Sequence, residues 1–149
     1  GPRIATLDFD GWDSHAAQDA MRWRLRVLDH ALATLHEALG PAWSRTVVMV
    51  VTEFGRTVAP NGTGGTDHGT AGAAFLLGGA VRGGRVLADW PSLASSALRD
   101  GRDLRPTLDL RAVFKGVLAD HLGLSEQQLA RSVFPDSGAV RPVRDLVRG

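Results

Sequence analysis

Residues 47–51 read Val-Val-Met-Val-Val, an unbroken apolar run dominated by β-branched side chains. A strand with one wet face alternates apolar and polar residues, so a run without alternation predicts a strand covered on both faces, inside a layered α/β sheet. Upstream, Met21, Leu25, Leu28, Leu32, Leu35 and Leu39 recur at alternating spacings of four and three, the period of an amphipathic helix. Arg22, Arg24, Arg26, Asp29, His30 and Glu37 fall between them and give the helix a solvated face, and Gly40-Pro41 ends it. Residues 4–9, Ile-Ala-Thr-Leu-Asp-Phe, read as a short strand ahead of that helix, with Asp13 or Ser14 as the helix cap. Strand, helix, strand predicts a right-handed crossover with parallel strands, which would bring residues 10–15 and 52–56 out at one sheet edge.

Beyond the glycine-rich stretch 52–72, residues 73–77 read as a third short strand closed by Gly78-Gly79. Residues 81–87, with Gly83-Gly84, suggest a small hairpin. Residues 108–121 carry Leu110, Val113, Phe114, Val117, Leu118 and His121 at helical spacing, with Gly123 as the stop. A short helix is expected at 125–131, begun by a capping serine. The proline-punctuated remainder, 133–149, is expected to wrap the surface.

The chain has 149 residues, the length of a single domain, 1–149, and its 44% apolar and 22% charged content is ordinary globular usage. Seventeen Lys and Arg against sixteen Asp and Glu leave a net charge of +1, which gives no electrostatic footprint for nucleic acid. Without cysteine there is no disulfide, thiolate ligand or thiol nucleophile. No apolar run approaches the roughly 18 residues of a membrane span. A first strand beginning at residue 4, followed directly by a helix, reads as the later part of a larger domain.

The chemistry concentrates in two places. Residues 52–72, TEFGRTVAPNGTGGTDHGTAG, combine Glu53, Arg56 and the pair Asp67-His68 with closely spaced glycines, just where the buried strand should surface. In open α/β sheets ligands bind at that edge. Asp13 and His15 stand two apart at a strand-to-helix junction, and a carboxylate with a neutral imidazole suits a divalent cation. The plainer alternatives are that Asp13 only caps the helix, and that Glu53 and Arg56 form a structural ion pair. In the functional version Glu53 is a ligand and Arg56 offers a fork to an anion. His68 takes a ligand or catalytic role, with Asp67 either a ligand or the group that orients it. Asn61-Gly62 needs no function beyond a turn. The four tryptophans read as packing, with Trp12 and Trp90 able to line a pocket. No GxSxG elbow and no Ser-His-Asp arrangement is present.

GWDSH at 11–15, TEFGRT at 52–57, NGTGGTDHG at 61–69, LLGGAVRGG at 76–84 and DLRPTLDLRAVFKGVLADHLGL at 103–124 together resemble the carboxyl-terminal half of the bacterial domain-of-unknown-function 1501 family. The likeness runs in order along nearly the whole chain. That family is similar to the alkaline phosphatase-like superfamily of phosphatases, sulfatases and phosphopentomutases. The resemblance implies a doubly wound, mostly parallel α/β sheet flanked by helices, of which this chain is the carboxyl-terminal portion. It further implies a two-metal site and a Ser or Thr nucleophile earlier in the domain. Carried over, Asp13 and His15 resemble the WD-x-H element and Asp67-His68 a later TDH element. Glu53-Phe54 stand where relatives often have Asp-His, a departure that removes one nitrogen ligand. The segment 103–109 is similar to the D-x-x-PT piece before the closing helix. Export is also implied by the resemblance.

These readings together predict a metal-dependent hydrolase of phosphate or sulfate esters, small or polymeric, with Asp13, His15, Glu53, Asp67 and His68 around a divalent ion (zinc, manganese, calcium or magnesium). Arg56 and His68 would be the catalytic groups, and the rest of the domain upstream of Gly1 would be a necessary partner. The alternative is a non-catalytic exported binding or assembly protein that keeps the fold. Carbohydrate-polymer recognition, resting on Trp12 and Trp90, is a third.

Overall fold

The computed structural model describes residues 2–148. The leucine-spaced segment forms α1, Ala20–Leu39, closed by Gly40 at φ 48° and followed by a 3-10 turn, Gly40–Arg45. Neither Asp13 nor Ser14 caps it, because the helix starts later, after Asp19. The Ser14 hydroxyl instead donates to the Ala16 carbonyl. Residues 4–9 carry no strand; Ile4, Leu7 and Phe9 are exposed. The expected crossover is thus absent among the described residues.

The valine-rich run forms β1, Val48–Val50, and the third expected strand is β4, Phe75–Leu77. They pair antiparallel, with Val48 opposite Leu77 and Val50 opposite Phe75. Between them the glycine-rich stretch folds back on itself as a second antiparallel pair, β2 (Gly55–Arg56) with β3 (His68–Gly69), in which Arg56 stands opposite His68. Gly69 makes that approach possible: a Cβ there would sit 2.6 Å from the Arg56 carbonyl oxygen.

Asp109 opens α2, Leu110–Leu122, accepting a hydrogen bond from the Arg111 amide, and Gly123 closes it in the left-handed conformation at φ 73°. A capping box at Ser125 and Gln128 then starts the one-turn α3, Glu126–Gln128, which runs into a π turn, Leu129–Val133.

Two expectations from sequence fail for one reason. Residues 81–87 form no hairpin, and the carboxyl-terminal segment is not a surface wrap. Instead Val81 bridges Val147; the Arg82 amide donates to the Leu146 carbonyl at 2.9 Å and the Arg148 amide to the Ala80 carbonyl at 2.7 Å. That pairing buries Leu146 and Val147 with Ala80 and Val117 in the main core, against which Val47, Met49, Leu76, Val113 and Val143 pack. Removing one such leucine from water contributes about 1.5–3 kcal/mol, which outweighs what an isolated hairpin about Gly83-Gly84 offers. Lys115, buried in α2, donates to the carbonyls of Ser137 and Val140 and ties the chain after α3 to the helix.

Candidate metal centre

The core anchors β1 and β4, and the chemistry lies beyond them, where β2 and β3 meet the loop before α1. Arg56 makes that junction. Its Nη1 donates to Asp13 Oδ1 at 2.7 Å, its Nε to Thr66 Oγ1 at 2.9 Å, and its Nη2 to the carbonyls of Ser14 and Thr66. The Arg56 side chain is only 20% exposed. It therefore joins segments more than forty residues apart in sequence, and each of its nitrogens is engaged by protein acceptors. Its ionic partner is Asp13, not Glu53 as one reading of the sequence had it.

Asn61 makes a second junction. Its Oδ1 accepts from the Thr63 and Gly65 amides, which fixes the turn. Its Nδ2 donates to the His15 carbonyl at 2.9 Å and to Asp67 Oδ1 at 3.0 Å. Thr63 Oγ1 donates to the same His15 carbonyl at 2.7 Å. Gly65 lets the turn lie against His15, since a Cβ there would be 2.2 Å from the His15 carbonyl carbon.

Held this way, Asp13, His15 and His68 converge. Nε2 of each histidine lies 2.9 Å from Asp13 Oδ1, and the two Nε2 atoms are 3.3 Å apart. Asp67 Oδ1 sits 3.3 Å from His15 Nδ1, on the far side of that ring. Phe54 stacks on His68 with ring centroids 4.2 Å apart and planes 16° from parallel. Each of the three converging side chains is about half exposed, so the cluster opens to solvent. Arg56, then His68, hold the Asp13 carboxyl below its ordinary range, with a smaller opposing effect of desolvation. Asn61, then His15, do the same for Asp67, and the charge of Arg102 adds a smaller effect.

These donors fit a divalent cation. Ligand atoms about 2.0–2.1 Å from a common ion stand ~2.9 Å apart at octahedral and ~3.3 Å apart at tetrahedral angles, the range the three separations cover. Two imidazoles and one carboxylate on one side leave the other side open, as in catalytic rather than structural sites. With His15 Nδ1 donating to Asp67, its Nε2 carries the lone pair a metal needs.

Glu53 lies in an exposed bend between β1 and β2 and is not among the residues whose ligand atoms converge. Trp12 is half-buried edge-on to Phe9, and Trp90 is exposed. The sequence reading took Asn61 as a turn residue and no more, and missed that its side chain, besides bonding its own backbone two residues on, also holds His15 and Asp67. It also passed over the stacking role of Phe54, for which nothing in the local sequence signals the partner.

Residues 1–134 match the family model described as a protein of unknown function, DUF1501. No curated protein and no solved structure matches the chain.

Proposed function

We propose, for a chain that belongs to the DUF1501 family, that Asp13, His15 and His68 hold a divalent cation and that the intact protein is a metal-dependent hydrolase of phosphate or sulfate esters. The observation that carries this reading is the convergence of two imidazole Nε2 atoms on one carboxylate oxygen at 2.9 Å each, in a solvent-open position. A cation bound there would supply Lewis-acid polarisation of an ester oxygen and charge stabilisation as that oxygen becomes anionic.

The protein's own groups do the rest. Asp67 fixes the tautomer and tilt of His15, and Phe54 fixes the plane of His68. Arg56 keeps Asp13 ionised and locks the loop before α1 onto β2, which makes it a positioning residue in this proposal. Glu53 takes no part in the three-ligand set. No helix among the described residues is long and apolar enough to cross a membrane.

The doubly wound parallel sheet belongs to the same proposal. Its support is the exposure of surfaces that such a fold covers: α1 has no buried residue, Trp23 is 68% exposed, and Phe75 at the end of β4 is 59% exposed. A further layer from the rest of the domain, packed on these faces, would complete the sheet and shield Trp23.

The test is an assay of the intact protein on aryl phosphate and aryl sulfate esters, before and after chelation and reloading with single metals. Turnover that is lost on chelation, restored by one metal, and abolished by His68→Ala is the expected result. Turnover indifferent to both chelation and His68→Ala would refute the metal-dependent site, and no turnover of either ester by the metal-loaded protein would refute the hydrolase. A second reading is favoured by Phe54, which covers one face of His68 and leaves a one-ion ligand set: the protein keeps its ion for stability and binds rather than cleaves. In that case chelation lowers the melting temperature and no ester is turned over.

A further inference from the structure

We propose that Arg102 is the anion-binding residue of this centre, its guanidinium held beside His68 by Asp103 so that one edge receives an oxyanion of the substrate. The proposal rests on the metal-centre reading and adds to it the group that recognises the substrate's charge.

The backbone places Arg102 firmly. Residues 99–103 form a tight turn in which the Arg99 amide donates to the Asp103 carbonyl at 2.8 Å, while the Asp103 and Arg102 amides each donate to the Arg99 carbonyl at 3.0 Å. Asp100 and Gly101 take positive φ, 54° and 65°, to close it. Two bonds dock the turn onto the β2–β3 pair: the Val58 amide donates to the Arg102 carbonyl at 3.2 Å, and Thr70 Oγ1 donates to the Leu104 carbonyl at 3.2 Å.

The side chains then follow from burial. The Asp103 side chain is 4% exposed, and a carboxylate so buried is costly unless a cation pairs with it. Arg102 is that cation, with Nε 3.0 Å from Oδ1 and Nη2 3.2 Å from Oδ2. Oδ2 accepts a hydrogen bond from Nη2, whereas the buried Oδ1 faces Nε as an ion pair and has no hydrogen-bond partner. Nη2 also lies 3.5 Å from the His68 carbonyl oxygen, which sets the group against the strand carrying a metal ligand.

The opposite edge of the guanidinium stays open. Arg102 is 58% exposed, and its Nη1 has no partner among the described residues. Arg56, the arginine that sequence reasoning had assigned to the anion, has its guanidinium turned inward to Asp13, Ser14 and Thr66. A planar, solvent-facing donor edge suits a tetrahedral oxyanion better than the point charge of a lysine would. The segment 103–109, read in the sequence only as a likeness to a family element, thus gains a physical role, because its first residue is the buried anchor of Arg102.

The test uses the intact protein loaded with Co2+, whose visible absorption reports the ion's surroundings, titrated separately with inorganic phosphate and sulfate. The expected result is a saturable spectral change in the wild type with one or both anions, the tighter one naming the ester class. Arg102→Ala should keep the cobalt band and weaken anion binding by about tenfold or more. Arg102→Lys, which keeps a charge facing Asp103 but loses the fork, should fall between, and it carries the test if the alanine variant does not fold. Anion affinity equal to wild type in the variants, or no anion response in the cobalt-loaded wild type, overturns the role of Arg102 while leaving the metal centre standing. A wild type without a cobalt band, or a His68→Ala variant that keeps it, overturns the centre and this inference with it.

Discussion

Asn61 and Asp67 form a chain of hydrogen bonds that ends on His15: the amide of Asn61 holds both the Asp67 carboxylate and the His15 backbone, and Asp67 in turn faces His15 Nδ1. A carboxylate behind a ligating imidazole raises its basicity and fixes its orientation, and losing such a partner costs about 10–100-fold in metal affinity. Asp67→Ala is accordingly expected to weaken ion binding by about that factor without abolishing it, as read by competition with a chromophoric chelator. Affinity unchanged from wild type would remove Asp67 from the site, and complete loss would make it a ligand rather than an orienting group. Asp13, His15 and His68 were legible in the sequence as candidate ligands, because Asp and His stand close together among glycines there. Their partners were not. Arg56 was read against Glu53, its neighbour in sequence, whereas its acceptors Asp13 and Ser14 lie more than forty residues away.

Among the elements, the two long helices and the valine-rich strand were legible because their signals are local. Leucine spacing, a left-handed glycine at Gly123 and an apolar run each act within a few residues. What was misread depended on distant pairing: β1 finds β4 antiparallel across the glycine-rich excursion, and Val81 finds Val147 rather than a partner across Gly83-Gly84. Helix α1 carries the sequence pattern of a core-facing helix, yet none of its residues is buried and both Trp23 and Leu25 are largely exposed. The proposal of a further layer over this face makes a direct prediction. Acrylamide should quench Trp23 fluorescence readily in the 149-residue chain, and less readily in a longer chain carrying the rest of the domain, with Trp23→Phe controls isolating its signal. Equal quenching in both would remove the argument for that layer over α1.

At the scale of the whole molecule, the surface is 10263 Å² for 15.8 kDa, about 40% more than the ~7,300 Å² of a compact monomer of that mass. A hydrophobic core exists, but it is confined to the end where α2 and the carboxyl-terminal segment close over β1 and β4. The candidate centre lies away from that core and is held by polar junctions: Arg56 and Asn61 between the loops, and Asp103 under Arg102. Arrangements of this kind give precise placement at modest stability, and a bound ion that links the loop before α1 to β3 would add to it. Calorimetric titration of the metal-free intact protein with Zn2+ and Mn2+ is the sharpest check on the three-ligand centre. It should give one saturable site per chain, lost in Asp13→Ala, His15→Ala and His68→Ala but retained in Glu53→Ala. No saturable binding, or binding that survives His68→Ala, would contradict it.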